Sequence, residues 1–339
     1  MKGALLVNLG SPNSTSVKDV KNYLGEFLMD KRVIDMPYIS RFLLVKGIIL
    51  NTRPKKSAEA YKKIWWNEGS PLIILSERLH KKVQENTTIH VELAMRYGNP
   101  SIKSAIKKLA QKGVNEIFLI PLYPQFAMAT IETITVLAKE IIKKQFPHIK
   151  ITTIPAFYNN TSYIKILSDS IEKELEISNP EHLLFSYHGV PERHIKKSDI
   201  TKSHCKIDGT CCNTPSPAHE FCYRHQCYET TKLVAKQLNL KKGTYSTSFQ
   251  SRLGRDPWLQ PYTDKTIDDF AKNNIKNLAV VTPAFVSDCL ETLEEIGMEA
   301  KQSFIKNGGE KFNTIPCLND TDNWSKTVSK WINNWVKNN

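Results

Sequence analysis

Short apolar runs rich in β-branched residues recur along the chain, and each ends at polar, glycine or proline residues. They span residues 4–9, 117–120, 151–154, 183–185 and 278–281. Runs of this length are typical of strands buried on both faces. Between them lie stretches with helical periodicity, at residues 101–112, 131–144, 163–174, 229–238 and 292–307. Strand alternating with helix predicts an α/β fold with parallel sheets covered on both sides.

Two of these runs, with the loops that follow them, are echoed later in the chain. Residues 5–12 resemble residues 183–191, and residues 118–123 resemble residues 279–285. We therefore expect an internal duplication, with chance similarity between buried strands as the alternative. In open α/β sheets, ligands bind outside the carboxyl ends of the strands, so the four loops after these strands are the first candidates for a site.

Length and composition favour an ordinary globular protein. A chain of 339 residues can form two domains, each with its own apolar core. With 40% hydrophobic and 24% charged residues and no apolar run of bilayer length, disordered and membrane-spanning classes are disfavoured. The chain enters a strand-like run directly after Met1-Lys2-Gly3, without the pattern of a signal peptide, so we expect a cytoplasmic protein with reduced thiols.

The net charge of +13 indicates an anionic partner, which could be nucleic acid, a lipid surface or an acidic small molecule. Net charge alone does not distinguish among these three classes of partner. Most of the lysines are expected on solvated helix faces.

Candidate chemistry follows two of the predicted strands. His188 stands at the end of one, and Gly189 beside it permits a sharp exit and close approach of a ligand. A lone histidine there is more often structural than catalytic. After the later strand, Glu291, Glu295 and Glu299 are four residues apart and share one helix face. Their charges repel unless a cation lies among them, so the cluster indicates either a metal path or a solvated acidic face.

A third cluster, at residues 248–264, is dense in aromatic, turn and basic residues but fits no metal or phosphate motif. Residue chemistry alone therefore predicts an α/β enzyme with a histidine and carboxylate site, and nothing narrower.

These segments resemble the ferrochelatase family along nearly the whole chain, from Leu5 to about Asn319. The signature is Ser-Tyr-His-Gly-Val-Pro at 186–191, and its companions are at 8–12, 96–98, 122–126, 254–263 and 287–295. The resemblance implies a lyase that inserts ferrous iron into protoporphyrin IX, the final step of haem biosynthesis. It also implies two Rossmann-like domains with parallel sheets and the porphyrin in a cleft between them. We expect these domains at residues 1–157 and 158–320, followed by a C-terminal helix at 321–339.

The resemblance also implies roles for individual residues. His188 accepts pyrrole protons, for which a neutral imidazole with a reference pKa of about 6.5 is suited. Glu291 lies across the macrocycle, and His188, Glu291, Glu295 and Glu299 form the path of the substrate iron. Carboxylates hold ferrous iron less tightly than thiolates, so the iron can leave again. The expected porphyrin contacts are Arg53, Tyr61, Ser70, Arg96, Tyr97, Tyr123, Trp258, Phe285 and Cys289.

One of these positions departs from the family pattern, since many members have a second histidine where this chain has Cys289. Other members of Gram-negative type carry cysteine there, so the departure does not imply lost activity. For Tyr123, Trp258 and Phe285, plain core packing is the alternative to a place in the porphyrin wall.

Residues 42–50 resemble the hydrophobic lip of the family, with a buried core helix as the alternative. Basic residues flank this segment, namely Lys31, Arg32, Arg41, Lys55 and Lys56. Such a combination suits a peripheral contact with an anionic inner membrane, where an apolar substrate is handed over.

An insertion at residues 194–228 carries five of the seven cysteines, namely Cys205, Cys211, Cys212, Cys222 and Cys227. In a reduced compartment such a cluster indicates metal rather than disulfides. The resemblance implies a two-iron two-sulfur cluster, because several bacterial members hold one through four cysteines. Structural zinc, bound by thiolates with His204, His219 or His225, is the main alternative, and a metal-free loop is a further one.

Two other functions are kept open. One is a related chelatase that loads cobalt or nickel, or that uses coproporphyrin. The other is a basic nucleic-acid-binding protein that grips its ligand through the cysteine-rich loop. The Glu291 to Glu299 face argues against the latter, because it would repel phosphate.

Overall fold

The computed structural model describes residues 1–254 and 256–338. The chain divides into two compact units. Unit 1 comprises Met1–Leu122, Met128–Pro155 and Asn319–Asn339, and unit 2 comprises Tyr123–Ala127 and Ala156–Leu318.

Each unit is built on a four-stranded parallel sheet. In unit 1 the strands are β1 (Lys2–Asn8), β2 (His90–Met95), β3 (Glu116–Pro121) and β4 (Lys150–Thr153), in the order β2-β1-β3-β4. In unit 2 they are β5 (His182–His188), β6 (Tyr245–Gln250), β7 (Asn277–Val281) and β8 (Lys311–Thr314), in the order β6-β5-β7-β8. The two orders are the same, and the echoed segments of the sequence fall on β1 and β5 and on β3 and β7. The predicted α/β class and parallel sheets are confirmed.

Helices fill the connections between the strands. In chain order the α-helices are α1 (Val17–Leu28), α2 (Tyr38–Phe42), α3 (Leu50–Thr52), α4 (Pro54–Ile64), α5 (Pro71–Glu85), α6 (Ile102–Gln111), α7 (Thr133–Gln145), α8 (Thr161–Ser178), α9 (Glu192–Ser198), α10 (Tyr223–Gln237), α11 (Thr263–Lys272), α12 (Lys301–Lys306) and α13 (Asp322–Asn338). Three further segments, Leu43–Ile49, Met128–Glu132 and Glu291–Ala300, are π-helical, and two, Cys211–Asn213 and Pro217–Phe221, are 3₁₀-helical.

The sheets are buried as their apolar runs predict. Ala4, Leu5, Leu6 and Val7 of β1 expose no side-chain surface. In unit 2, the core on one side of the sheet joins α11, α12 and the π-helix Glu291–Ala300, which contributes the buried side chain of Ile296. This anchor fixes the orientation of the helix that carries the three glutamates.

The prediction of an α-helix at residues 292–307 is wrong for the first part of that range. Residues Glu291–Ala300 form a π-helix, and only Lys301–Lys306 continue as an α-helix. π-helical turns often occur at functional sites. In the described part of the chain, no helix has both the length and the apolar character needed to cross a membrane.

Candidate active site

His188 ends β5, at the point where the chain leaves the sheet. It is in register with Gln250, the last residue of the neighbouring strand β6. The Gly189 N–H donates to the Gln250 carbonyl over 2.6 Å, and a Cβ at Gly189 would lie 2.8 Å from the Ser251 carbonyl oxygen. Because such a contact is closer than real Cβ atoms allow, only glycine permits the ends of the two strands to approach this closely.

The imidazole of His188 is held by a bond from its own ring to the backbone. Nδ1 lies 2.7 Å from the carbonyl oxygen of Gly189, so Nδ1–H donates and this nitrogen carries the proton in the neutral ring. Nε2 is then left with a lone pair. The carbonyl of His188 accepts a hydrogen bond of 2.8 Å from the Tyr223 hydroxyl, which fixes the strand end. The ring of Phe285 lies against the imidazole at a centroid distance of 6.3 Å.

The carboxylates of the acidic cluster are presented by the π-helix Glu291–Ala300. Glu291 and Glu295 are half-buried, whereas Glu299 is exposed. Ser251 bonds both oxygens of Glu295, its N–H to Oε1 over 2.9 Å and its Oγ to Oε2 over 2.5 Å. The side-chain amide of Gln250 donates to the Glu291 carbonyl over 3.1 Å. Glu295 is therefore fixed from the end of β6.

Electrostatics distinguish Glu295 from an ordinary surface carboxylate. Burial raises the pKa of Glu295, and the negative charge of Glu291 acts in the same direction. The hydrogen bonds from Ser251 and the charge of His188 oppose this rise without cancelling it. The charges of both His188 and Glu291 thus act on the Glu295 carboxylate.

A cavity of about 300 Å³ lies along the acidic face. Its lining includes Ser251, Tyr262, Asp264, Glu295 and Glu299. The carboxylates of Glu295 and Glu299 therefore both line this cavity, whereas Asp264 is paired with Arg252 at 2.8 Å. Hard oxygen ligands of this kind suit a divalent cation that has to move on.

Cys289, the departure from the family pattern, lies beside Glu291. Burial, together with the Glu291 carboxylate, keeps the pKa of its thiol well above the usual value. A thiol held neutral does not offer iron a tight thiolate ligand. Two aromatic residues of this region are candidate porphyrin contacts. Trp258 donates through Nε1 to the Leu253 carbonyl over 3.0 Å, and Phe285 faces His188.

The candidate porphyrin contacts in unit 1 differ in how far their side chains are exposed to solvent. Arg53 is exposed, at the start of α4. Tyr61 is buried, with its ring 6.1 Å from that of Trp65 in an edge-to-face arrangement. Ser70 is buried at the start of α5.

Arg96 and Tyr97 belong to a polar network centred on Asp30, a residue that sequence reasoning missed. Arg96 Nη2 lies 2.5 Å and the Tyr97 hydroxyl 3.1 Å from Asp30 Oδ2, and Thr133 donates to the same oxygen. Although burial acts to raise the pKa of Asp30, hydrogen bonds from Thr133 and the Arg32 N–H, with the charge of Arg96, hold it below its usual value. Its neighbours in sequence carry no signal of this role.

The family model described as ferrochelatase matches residues 1–335. The chain belongs to the ferrochelatase family. It is 46% identical to a ferrochelatase of Pseudomonas syringae pv. syringae over 96% of both chains, and 45% identical to one of Opitutus terrae over 99% of this chain and 98% of the other. A ferrochelatase of Pseudomonas fluorescens is 47% identical over 96% of this chain and 95% of its own.

Among solved structures, SirB from Bacillus subtilis with Fe³⁺ is similar in fold, with a TM-score of 0.54 over 98% of this chain and 94% of the other. At 10% identity this likeness concerns the fold alone. The predicted family and chelatase-type fold are confirmed.

The segment that resembles the ferrochelatase lip, residues 42–50, runs from the end of α2 through the π-helix Leu43–Ile49 to Leu50. The rest of α2 directly precedes it, and with α2 included the segment spans residues 38–50. Its large apolar side chains divide into two sets. Val45 and Ile49 are buried, whereas the exposed set, hereafter the lip residues, consists of Tyr38, Ile39, Phe42, Leu43 and Ile48. The segment is thus not a fully buried core helix.

The basic residues beside the lip are not equivalent. Arg41 is buried and donates to the carbonyls of Ile34 and Met36, and Arg32 is paired with Glu132 at 2.9 Å. Exposed positive charge near the lip comes instead from Lys31, Lys46, Lys55 and Lys56.

In the cysteine-rich insertion four thiols interact with one another, and the fifth is fully buried. Cys205 interacts with Cys222 and Cys211, and Cys211 with Cys212, whereas the fully buried Cys227 bonds Tyr223 on α10. None of the seven cysteines, all within the described ranges, forms a disulfide. Across those ranges, no three or more His, Cys, Asp or Glu side chains are grouped as a ready metal site. Cys205 thus interacts with the other three thiols of this group, and Cys212 also interacts with Cys227.

Three histidine side chains contact the backbone of the same loop. His204 Nε2 and His219 Nε2 lie 2.8 and 3.0 Å from the Cys211 carbonyl, and His225 Nδ1 lies 2.8 Å from the Cys212 carbonyl. The rings of His219 and His225 stack at 3.5 Å. One nitrogen of each ring is thus engaged by the backbone of a cysteine.

Proposed function

We propose that this chain inserts ferrous iron into protoporphyrin IX, with His188 as proton acceptor and Glu291, Glu295 and Glu299 as the path of the substrate iron. Membership in the ferrochelatase family makes it a lyase of haem biosynthesis. The observation that supports the residue roles best is the bond from His188 Nδ1 to Gly189, because it leaves Nε2 as a base beside the carboxylates.

Metallation requires two changes that these residues can bring about. The porphyrin must lose two pyrrole protons, which a neutral imidazole with an available Nε2 accepts. The hydrated ferrous ion must lose its waters, which carboxylate oxygens at Glu299, Glu295 and Glu291 replace one after another. The raised pKa of Glu295 also suits it to take a proton from His188 and pass it outward. Protons and iron can therefore share the acidic face in opposite directions.

The porphyrin contacts remain proposals by resemblance. In unit 2 we assign the ring wall to Tyr123, Trp258, Phe285 and Cys289. In unit 1 we assign a propionate to the exposed Arg53 with Tyr61 and Ser70, and further contacts to Arg96 and Tyr97. The Asp30 network gives Arg96 and Tyr97 a structural function as well, so their substitution is expected to affect folding.

A direct assay tests the function. Purified protein with ferrous iron and protoporphyrin IX should form haem, with coproporphyrin and cobalt as comparison substrates. His188→Ala should lower turnover by roughly 10²–10⁴-fold, the usual contribution of a proton-transfer group, while porphyrin still quenches protein fluorescence at parent concentrations. The exposed His148 provides the matched control, and His148→Ala should keep parent turnover. If His188→Ala kept turnover near the parent level, His188 would not be the proton acceptor.

We also propose that the lip residues bind a membrane surface peripherally. Five large apolar side chains are exposed within one short segment, and exposed lysines lie close to it in the sequence. Apolar insertion combined with attraction to anionic headgroups is the usual basis of such binding. The double variant Ile39→Ser, Leu43→Ser should lose sedimentation with anionic vesicles, and Val17→Ser, at an exposed apolar residue outside the lip, should not. Equal sedimentation of parent and double variant would refute the lip as the contact.

For the insertion we propose a two-iron two-sulfur cluster held by Cys205, Cys211, Cys212 and Cys222. The proposal is supported by the interactions of Cys205 with the other three thiols, and by the histidines of the loop, each of which already has a ring nitrogen bonded to a cysteine carbonyl. Such a cluster supplies one-electron chemistry and ties the loop together.

Elemental analysis of anaerobically purified protein distinguishes the cluster from zinc. The cluster predicts reddish protein with equal iron and acid-labile sulfide, bleached in Cys222→Ser but retained in Cys227→Ser, because Cys227 is fully buried and bonds Tyr223. Colourless protein with one zinc per chain would refute the cluster and leave the chelatase function standing.

A further inference from the structure

Ser251 adopts a backbone conformation that non-glycine residues seldom take. Its φ of 59° lies in the left-handed region. In this conformation its N–H and Oγ reach the two oxygens of one carboxylate, Glu295. Residues in such conformations persist where the surroundings fix them, and they concentrate at functional sites.

The surroundings of Ser251 are fixed by the residue before it. The side-chain oxygen of Gln250 accepts from Ser186 Oγ over 2.8 Å, its side-chain amide donates to the Glu291 carbonyl, and its backbone carbonyl accepts from Gly189. The turn after β6 is thus bonded to β5, to the residue after His188 and to the π-helix. Ser251 is consequently held at a set position relative to both the base and the carboxylates.

The two hydrogen bonds act on a carboxylate that is otherwise disfavoured as an anion. Glu295 is half-buried and adjacent to the like charge of Glu291. Hydrogen bonds to a carboxylate are stronger than neutral ones and fix its orientation. Without the hydroxyl, Glu295 would keep one bond from Ser251 instead of two and could rotate away from the cavity.

From these contacts we propose that Ser251 is a positioning residue. It holds the Glu295 carboxylate in the orientation in which Glu295 binds the substrate iron on its way from Glu299 to Glu291. The proposal rests on the proposed function, in which Glu295 lies between Glu299 and Glu291. It predicts a specific defect in iron capture, with porphyrin binding and the proton acceptor left intact.

Steady-state kinetics of the full-length protein test the proposal, with ferrous iron and protoporphyrin IX varied in turn. Ser251→Ala should raise KM for iron about tenfold or more, which corresponds to loss of one hydrogen bond to a charged group. KM for porphyrin, and kcat at saturating iron, should stay at the parent values. Ser251→Gly also lacks the hydroxyl but relaxes the backbone, so it should show the same rise.

The matched control is Ser246→Ala, on the strand β6 that Ser251 follows, whose hydroxyl bonds His182 and not a carboxylate. It should keep the parent KM for iron. A parent-like KM for iron in Ser251→Gly would overturn the proposal, as would an equal rise of both KM values in Ser251→Ala.

Binding of Co²⁺ without porphyrin, measured by titration calorimetry, separates this proposal from the proposed function. Ser251→Ala should weaken Co²⁺ binding about tenfold even if the parent protein inserted no iron. Unchanged Co²⁺ affinity in Ser251→Ala would overturn the role of Ser251, whatever the insertion assay shows.

Discussion

His188 and Glu291 could be found from sequence because each bears a titratable group just beyond an apolar strand. Gln250 and Ser251 carry no comparable signal, since serine and glutamine are common in polar turns. Their contacts with the π-helix arise only when β6 and the helix meet in the fold. The same reason explains why Asp30, buried with Arg96, was missed. A side chain whose role is to hold another residue is visible only in three dimensions.

At Glu291 we expect charge to matter more than shape. Glu291→Gln keeps the size of the side chain but removes the anion at the inner end of the iron path, so turnover should fall roughly a hundredfold. Porphyrin affinity, measured by fluorescence quenching, should be unchanged. If affinity fell and turnover at saturating porphyrin did not, Glu291 would be a wall residue.

Arg53 is expected to act on binding and not on chemistry. It is exposed, as a residue that clamps a propionate from outside must be. Arg53→Ala should raise KM for porphyrin about tenfold, the loss expected for one charge-assisted contact, with kcat little changed. Lys55→Ala, at an exposed basic neighbour on α4, is the control and should leave KM unchanged. An unchanged KM in Arg53→Ala would leave the arginine as a solvated surface charge.

Among the elements, the strands β1, β3, β4, β5 and β7 were predicted, whereas β2, β6 and β8 were not. The sequence of β6, Tyr-Ser-Thr-Ser-Phe-Gln, is mostly polar, and β8 is four residues long. Such strands are specified by the neighbour they pair with. The π-helix Glu291–Ala300 was expected as an α-helix, because a spacing of four residues does not distinguish the two.

The close approach of β5 and β6 predicts that Gly189 does not tolerate a side chain. In Gly189→Ala the new Cβ would meet two backbone oxygens, of Gln250 and Ser251, at 2.9 and 2.8 Å, and backbone atoms cannot rotate away. We expect a loss of about 1–3 kcal/mol in the free energy of unfolding, with lower turnover because His188 shifts. Gly47→Ala is the control, since no atom lies within 4 Å of its Cβ position. Equal urea midpoints for the two variants would contradict this account of the strand ends.

For the whole molecule, the repeated strand order supports the duplication suggested by the echoed segments. Only the α/β class and the parallel sheets followed from periodicity. The ferrochelatase family required the ordered set of motifs, because an α/β sheet alone supports many reactions. The net charge of +13 includes exposed lysines around the lip, namely Lys31, Lys46, Lys55 and Lys56, whereas Arg41 in the same region is buried.

The stability of the whole protein should depend on pH through His182, at the start of β5. Burial lowers the pKa of this histidine from 6.5, its ring packs 4.5 Å from that of Phe270, and Nε2 bonds the Ser246 hydroxyl. The unfolded chain therefore binds a proton at His182 more readily than the folded chain does. The stability that neutral, buried His182 contributes is complete above pH 6.5 and is lost as the pH falls through the lowered folded pKa.

The urea midpoint should accordingly decrease between pH 7.5 and pH 5.5, and by less in His182→Gln, which cannot be protonated. His148→Gln, at an exposed histidine, should keep the slope of the parent. If His182→Gln kept the parent slope as well, the acid sensitivity would have to come from another buried histidine. His225, whose pKa is lowered by burial in the cysteine-rich loop, would be the next to substitute.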